Sequence, residues 1–325
     1  MALSIPAAAL LLAAALPQLH ASAGAQDAGD VDVVTTRTDA HDRMTVPVRI
    51  GSNGPFRFLI DTGAQNTVLS TALAERLALK PTNTATLVGV AGREKVDTVE
   101  VDEIGLGRRS YFGLVSPLLS AGNIGADGIV GLDSLQGQRV LIDFTQNLIA
   151  IDEAKNLGGN QGFDIIVTAR RRSGQLIMTN ARIDGVWTDV VIDTGAEGTI
   201  GNRALQRALA RRGRSGEQTT LHSVTGQQIV ADIGTGSALT FGAAQINNVT
   251  IAFADSPPFA VLDLERKPAI LLGMRELRVF KRVAIDFASR KILFDMPFAV
   301  SNMPENIRAM REGYHRRGAS PTKAY

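Results

Sequence analysis

The feature that most limits what this chain can fold into is a stretch written twice. Phe58-Leu59-Ile60-Asp61-Thr62-Gly63-Ala64-Gln65-Asn66-Thr67-Val68 returns as Val190-Val191-Ile192-Asp193-Thr194-Gly195-Ala196-Glu197-Gly198-Thr199-Ile200, with the same apolar run before the aspartate. One Asp-Thr-Gly alone reads as a turn, since all three residues suit turns. Here the surroundings are duplicated too. About ten residues past each aspartate a helical pattern starts, Thr71 to Leu77 and Arg203 to Leu209. Ser70 and Asn202 stand before them as N-cap candidates. A hairpin carrying Gly89 and Gly92, and one carrying Thr225 and Gly226, come next. Apolar runs then close on Gly131 and Gly273, and Arg139-Val-Leu-Ile-Asp143-Phe144 is matched by Arg282-Val-Ala-Ile-Asp286-Phe287. A whole lobe is repeated, and the second copy carries an insertion before its glycine.

Paired Asp-Thr-Gly-Ala motifs, each with a downstream apolar-apolar-Gly, resemble the aspartic proteases, nearest to the retropepsin-like branch and to bacterial envelope members with two motifs in one chain. The chain has no cysteine, neither hairpin offers the tyrosine of a pepsin flap, and alanine follows each Asp-Thr-Gly. These departures point away from pepsins and toward retropepsins. The resemblance implies a mainly β, bilobal aspartic-protease fold (pepsin/retropepsin-like), with two pseudo-twofold-related β-barrel lobes and short helices. It also implies that Asp61 and Asp193 form a catalytic dyad. Gly63 and Gly195 would permit the tight loops, Thr62 and Thr194 would reach across to the opposite lobe's backbone, and Ala64 and Ala196 would offer the carboxylates no hydroxyl. The hairpins are candidate flaps or plain exposed hairpins, and the runs ending at Gly131 and Gly273 pass behind the aspartate loops or serve as core strands.

The residues themselves agree with that outline. Alternating stretches such as Met44 to Ile50 outweigh helical periodicity, so mainly β structure is expected. With 325 residues and average apolar content, two lobes suit the repeat better than one core. The expected division is a signal peptide over 1–25, an N-terminal segment over 26–43, lobes over 44–152 and 165–296 joined by a Gly- and Asn-rich linker over 153–164, and a basic tail over 297–325. Within 26–43, the stretch from Val31 to Thr36 is read as an outer strand. Ser256 to Pro268 reads as a proline-bounded loop beside the substrate cleft. Asp133 and Arg275, matched but opposite in charge, are either an interlobe ion pair or simply solvated.

Each aspartate ends an apolar strand, where an unpaired buried charge is costly. Pairing the two loops supplies a reason for them. Two carboxylates held close together cannot both ionise, so the pair keeps one proton and titrates as a unit. The ionised member would take a proton from water while the protonated one hydrogen-bonds the peptide carbonyl. Without a hydroxyl donor on the carboxylates, activity is expected at mildly acidic to near-neutral pH.

A net charge of +2, with arginines scattered apart from short clusters such as Arg170-Arg171-Arg172, Arg211-Arg212 and the tail, gives no case for nucleic acid. His41, His222 and His315 fit no metal spacing, and no Gly-x-Ser-x-Gly elbow occurs. No metal and no cofactor are expected. Ile5 to Leu16 is apolar and shorter than a bilayer span, and small-x-small sites end at Ala23 and Ala25. A cleaved signal, a periplasmic or secreted location and no stable membrane insertion after cleavage are therefore expected. The expected function is an exported aspartic endopeptidase acting on extended segments of envelope proteins, a monomer working as an intramolecular pseudo-dimer. The alternative is a peptide-binding protein of the same fold that hydrolyses little.

Overall fold

The computed structural model describes residues 44–209 and 217–297, with short strand segments at 4–5, 12–13, 33–35 and 37–38. The expected signal peptide, the N-terminal segment and the basic tail therefore lie largely outside the described residues, as do Arg211 and Arg212. The described chain is mainly β, 54% strand against 12% helix, which settles the fold class.

Two closed strand rings with the same order make the lobes. In the first, Asn53–Ile60 pairs with Met44–Ile50, which pairs with the far end of Gly92–Leu106. Arg109–Leu119, Val68–Ser70 and Gly128–Val130 follow, and the last returns in parallel to Asn53–Ile60. In the second, Val186–Ile192 pairs with Gln175–Ile183, then come Gln228–Phe241, Ala244–Phe253, Thr199–Gly201 and Ala269–Leu272, the last again parallel to Val186–Ile192. Strand for strand the rings correspond, so the repeat in sequence is a repeat in space. Closing a sheet this way removes its free edges, which suits a chain whose inward residues alternate with polar ones.

Local chemistry explains the shared turns and helices. Both hairpins that lead into the aspartates turn in two residues. Asp184 and Gly185 hold φ of 48° and 82°, the two positive values a type I′ turn needs. The first-lobe turn is Gly51–Ser52, with Gly54 and Pro55 inside the following strand. Helices at Thr71–Arg76 and Arg203–Leu209 start where a side chain accepts an orphan amide: Leu73 N donates to Ser70 Oγ at 3.1 Å, and Leu205 N to Asn202 Oδ1 at 2.8 Å.

A third sheet joins the lobes. Arg139–Asp143 and Arg282–Asp286, the matched segments, pair antiparallel with each other, Leu141 opposite Ala284, so the pseudo-twofold axis passes between those two residues. Leu148–Asp152 and Lys291–Asp295 flank them, and Val33–Thr35 and Ile165–Thr168 form the edges. Arg139, almost fully buried, pairs with Asp286 at 2.8 Å. Its copy differs, since Arg282 turns to Asp295 and Asp143 binds Thr145. One apolar cluster runs through both rings and this sheet, from Val48 and Phe58 to Val140, Ile285 and Phe294. Each such fully buried side chain contributes about 1.5–3 kcal/mol.

Residues 153–164 carry turns, with no strand or helix. The stretch after Ser256 departs from the expected loop: Pro257–Val261 is a short helix, with Phe259, Leu262 and Leu264 buried. Among the described residues, no helix is long and apolar enough to cross a membrane.

Candidate active site

Asp61 and Asp193 follow directly on parallel strand pairs. Asp61 N donates to Val130 O at 3.1 Å and Asp193 N to Leu272 O at 3.0 Å, so each aspartate is pinned to the apolar run that ends at the lobe's later glycine. Both are buried, as are Thr62, Thr194, Ala64 and Ala196. Asp61 Oδ1 accepts from Gly63 N at 2.7 Å and Ala64 N at 3.1 Å. Asp193 Oδ1 accepts from Gly195 N and Ala196 N, both at 3.1 Å.

The two loops meet. Thr62 Oγ1 donates to Ile192 O at 2.9 Å and Thr194 Oγ1 to Ile60 O at 2.7 Å, each hydroxyl crossing to the other lobe. In return Thr62 N donates to Thr194 Oγ1 at 3.0 Å and Thr194 N to Thr62 Oγ1 at 3.3 Å. Gly195 lies so close to the opposite carboxyl that a Cβ there would come within 2.3 Å of Asp61 Oδ2. Burial pushes the Asp193 carboxyl well above the ordinary carboxylate range and the charge of Asp61 pushes it further, while the Gly195 and Ala196 amides pull it back. Asp193 Oδ2 is buried and makes no hydrogen bond with a described residue. A carboxyl pair of this kind keeps one proton where isolated aspartates would have lost both.

Behind each loop stands a support the sequence reading did not single out. Thr67 Oγ1 donates to Asp133 Oδ1 at 2.6 Å and accepts from Gly131 N at 3.1 Å. Thr199 Oγ1 donates to Glu276 Oε2 at 2.6 Å and accepts from Gly273 N at 3.3 Å. The threonines sit at matched places, six residues past each aspartate, and that match is the signal that would have found them. Gly131 and Gly273 pass against the loops: Cβ atoms there would lie 2.4 Å from the Asn66 carbonyl and 2.5 Å from Gly198 O. The ion pair considered between Asp133 and Arg275 does not form. Asp133 is taken by Thr67 and Arg275 reaches Glu197 at 3.4 Å, because the acid that copies Asp133 is Glu276, one residue further on. Burial raises both the Asp133 and Glu276 carboxyls.

The hairpins converge. Asn83–Gly89 and Gly92–Leu106 turn through Val90 and Ala91, while Gln218–His222 and Gln228–Phe241 turn through residues 223–227. Gln227 Nε2 donates to Arg93 O at 3.0 Å, and Cβ atoms on Gly89 and Gly92 would strike Ser223 and Gln227. Gly226 faces Asn123 of the other lobe, and Ser256 Oγ donates to Val90 O at 2.7 Å, so each hairpin tip also rests on the opposite lobe. Val90 and Val224 are buried in an apolar cluster with Ala64, Val68, Ile200, Phe259 and Leu264. The free edge of each first strand carries a further strand of this chain: Leu12–Ala13 runs antiparallel to the first hairpin and Ser4–Ile5 parallel to the second.

Two corresponding barrels, each bringing one Asp-Thr-Gly loop to a common seam beneath paired hairpins, define a bilobal aspartic-protease fold. Comparison with protein families agrees: the model described as aspartyl protease matches residues 46–134 and 179–275, more than half of the chain, and the chain belongs to that family. No curated protein matches it.

Proposed function

We propose that this protein is an exported aspartic endopeptidase that hydrolyses peptide bonds in extended segments of envelope proteins. The observation that carries the reading is that the two Asp-Thr-Gly loops cross at the seam, where burial and the charge of Asp61 both raise the Asp193 carboxyl. In this reading Asp61, ionised, takes a proton from the attacking water, and Asp193 donates a hydrogen bond to the scissile carbonyl. The proton then passes to the leaving nitrogen. No covalent intermediate forms. The hairpins close over the peptide and exclude water. Their free edges already accept added backbone strands, the way extended peptides add to sheets. With alanine rather than a hydroxyl residue after each glycine, the dyad works at mildly acidic to near-neutral pH. Export rests on the apolar run from Ile5 to Leu16 and the small residues that follow.

The test offers a mixed peptide library to purified protein starting at Gly24 and to its Asp61→Asn and Asp193→Asn variants. Cleavage by the parent and by neither variant is expected. Binding without cleavage in all three overturns the enzyme assignment and leaves a peptide-binding protein. Localisation is checked separately, by fractionating cells that express the full chain and asking whether the protein appears shortened outside the cytoplasm.

A further inference from the structure

The two aspartate loops are near copies, yet among the described residues they differ at a buried contact. Gln175, at the start of Gln175–Ile183 and fully buried, donates from Nε2 to Gly63 O at 2.7 Å. The acceptor is a carbonyl, so the amide must present its nitrogen there. Its Oε1 is buried without a partner. Buried side-chain acceptors are seldom left so, and the arrangement makes sense only if the donated bond is worth keeping. Among the described residues, no side chain donates to the matching Gly195 carbonyl.

The carbonyl of Gly63 and the N–H of Ala64 belong to one peptide group. A donor on the oxygen polarises that group and makes the N–H a stronger donor, the cooperative strengthening of linked hydrogen bonds. Ala64 N–H points at Asp61 Oδ1. On the same oxygen, the Gly63 amide sits at 2.7 Å, against 3.1 Å for Gly195 on Asp193. Hydrogen bonds to a carboxylate favour its charged form. Both differences act on Asp61, and Asp193 keeps a buried oxygen with no donor.

We propose that Gln175 is a positioning residue that makes Asp61 the ionised member of the pair and leaves the shared proton on Asp193. The inference rests on the aspartic-protease reading for its kinetic test and assigns the base and the acid within it. Among the described residues, the other titratable and charged groups behind the two loops include Asp133, held by Thr67, at the first, and Glu276, held by Thr199, with the Glu197–Arg275 pair at the second. Replacing Gln175 leaves their partners in place.

The experiment compares pH profiles of kcat/KM for wild type, Gln175→Met and Gln175→Glu. Methionine keeps the volume and removes the donor, so the acidic limb should move up by about half a unit, the size of a 10–30% weakening of a charged hydrogen bond. KM should change little. Glutamic acid, neutral when buried, can still donate and should hold the acidic limb near its wild-type place. An unchanged acidic limb in Gln175→Met overturns the proposal, even if that variant is less stable. The second measurement needs no turnover: carboxyl 13C titration of the wild-type protein and of Gln175→Met, in which the Asp61 step should move up, assigned through Asp61→Asn and Asp193→Asn. An Asp61 step left in place by Gln175→Met overturns the proposal. Asp61 should ionise first, and ionisation of Asp193 first overturns the proposal. If the wild type cleaves nothing, the protease reading falls and the titration still decides the role of Gln175.

Discussion

Gly195 faces the carboxyl of Asp61 so closely that a methyl group on it would sit 2.3 Å from Oδ2 and 2.4 Å from the carboxyl carbon. The glycine of one motif is thus kept by the aspartate of the other. Gly195→Ala forces the two loops apart, and a displacement near 1 Å at a reacting group costs on the order of 100-fold in rate. Peptide cleavage should fall by at least that factor. Gly122→Ala, whose added carbon would meet only Ser120 Oγ at 3.7 Å, serves as the control and should keep its activity. Equal rates for the two variants would show that the seam gives way without harm.

The threonine lattice makes a second prediction. Thr62→Ala strips the donor from Ile192 O and the acceptor from Thr194 N, and Thr194→Ala does the reverse to Ile60 O and Thr62 N. Unsatisfied buried groups cost about 1–3 kcal/mol per variant. Thr→Ser at either place keeps the hydroxyl and should cost less. Because each threonine completes the other's bonds, the double Ala variant should lose less than the two singles added together. Urea denaturation of the four single variants and the double variant measures this, and strict additivity would mean that the two sides do not cooperate.

Stability should also depend on pH through the same seam. An acid with a raised folded-state pKa holds its proton better when folded. Its contribution is complete below the unfolded value, near 3.8 for aspartate, and is lost as pH climbs from there through the folded value. Asp193, Asp133 and Glu276 are all raised by burial, Asp193 also by Asp61. Asp193→Asn removes the largest of these, while its carbonyl still accepts the Gly195 and Ala196 amides. The variant should match wild type near pH 4 and melt higher near pH 7.5, by about 2–4 °C for each kcal/mol recovered. A wild type that melts higher than Asp193→Asn at the upper pH would contradict the assignment of the proton to this pair.

Much of this architecture was legible because it is written twice. The two helices start at Ser70 and Asn202, where the caps stand in the sequence, and Asp184-Gly185 announces its own turn. The matched segments from Arg139 and Arg282 pair with each other, which a repeat around a twofold axis makes natural. What escaped lacks a second copy or depends on register. Gln175 reaches the first loop from the opposite lobe across 112 residues, and among the described residues no side chain makes the matching reach to the second loop. Asp133 and Arg275 align by number, yet the acids that the loop threonines hold are Asp133 and Glu276, since the short helices after each glycine offer different residues to Thr67 and Thr199. The prolines after Ser256 suggested a loop, but proline is at home in a helix's first turn, and here it opens one.

The hairpin edges supply the last prediction. A peptide strand added to Asn83–Gly89 or Gln218–His222 would need backbone groups that Leu12–Ala13 and Ser4–Ile5 already engage. The directions differ, one segment antiparallel to its hairpin strand and the other parallel. Residues 1–25 should therefore compete with substrate. A chain that begins at Gly24 should show a lower KM than one that retains them, with kcat little changed, because competition removes free enzyme without touching the dyad. A synthetic peptide of residues 1–25, added in trans to the shortened chain, should raise its KM again in proportion to concentration. Identical KM values for the two chains, together with no effect of the peptide, would mean that these strands do not occupy the path a substrate takes.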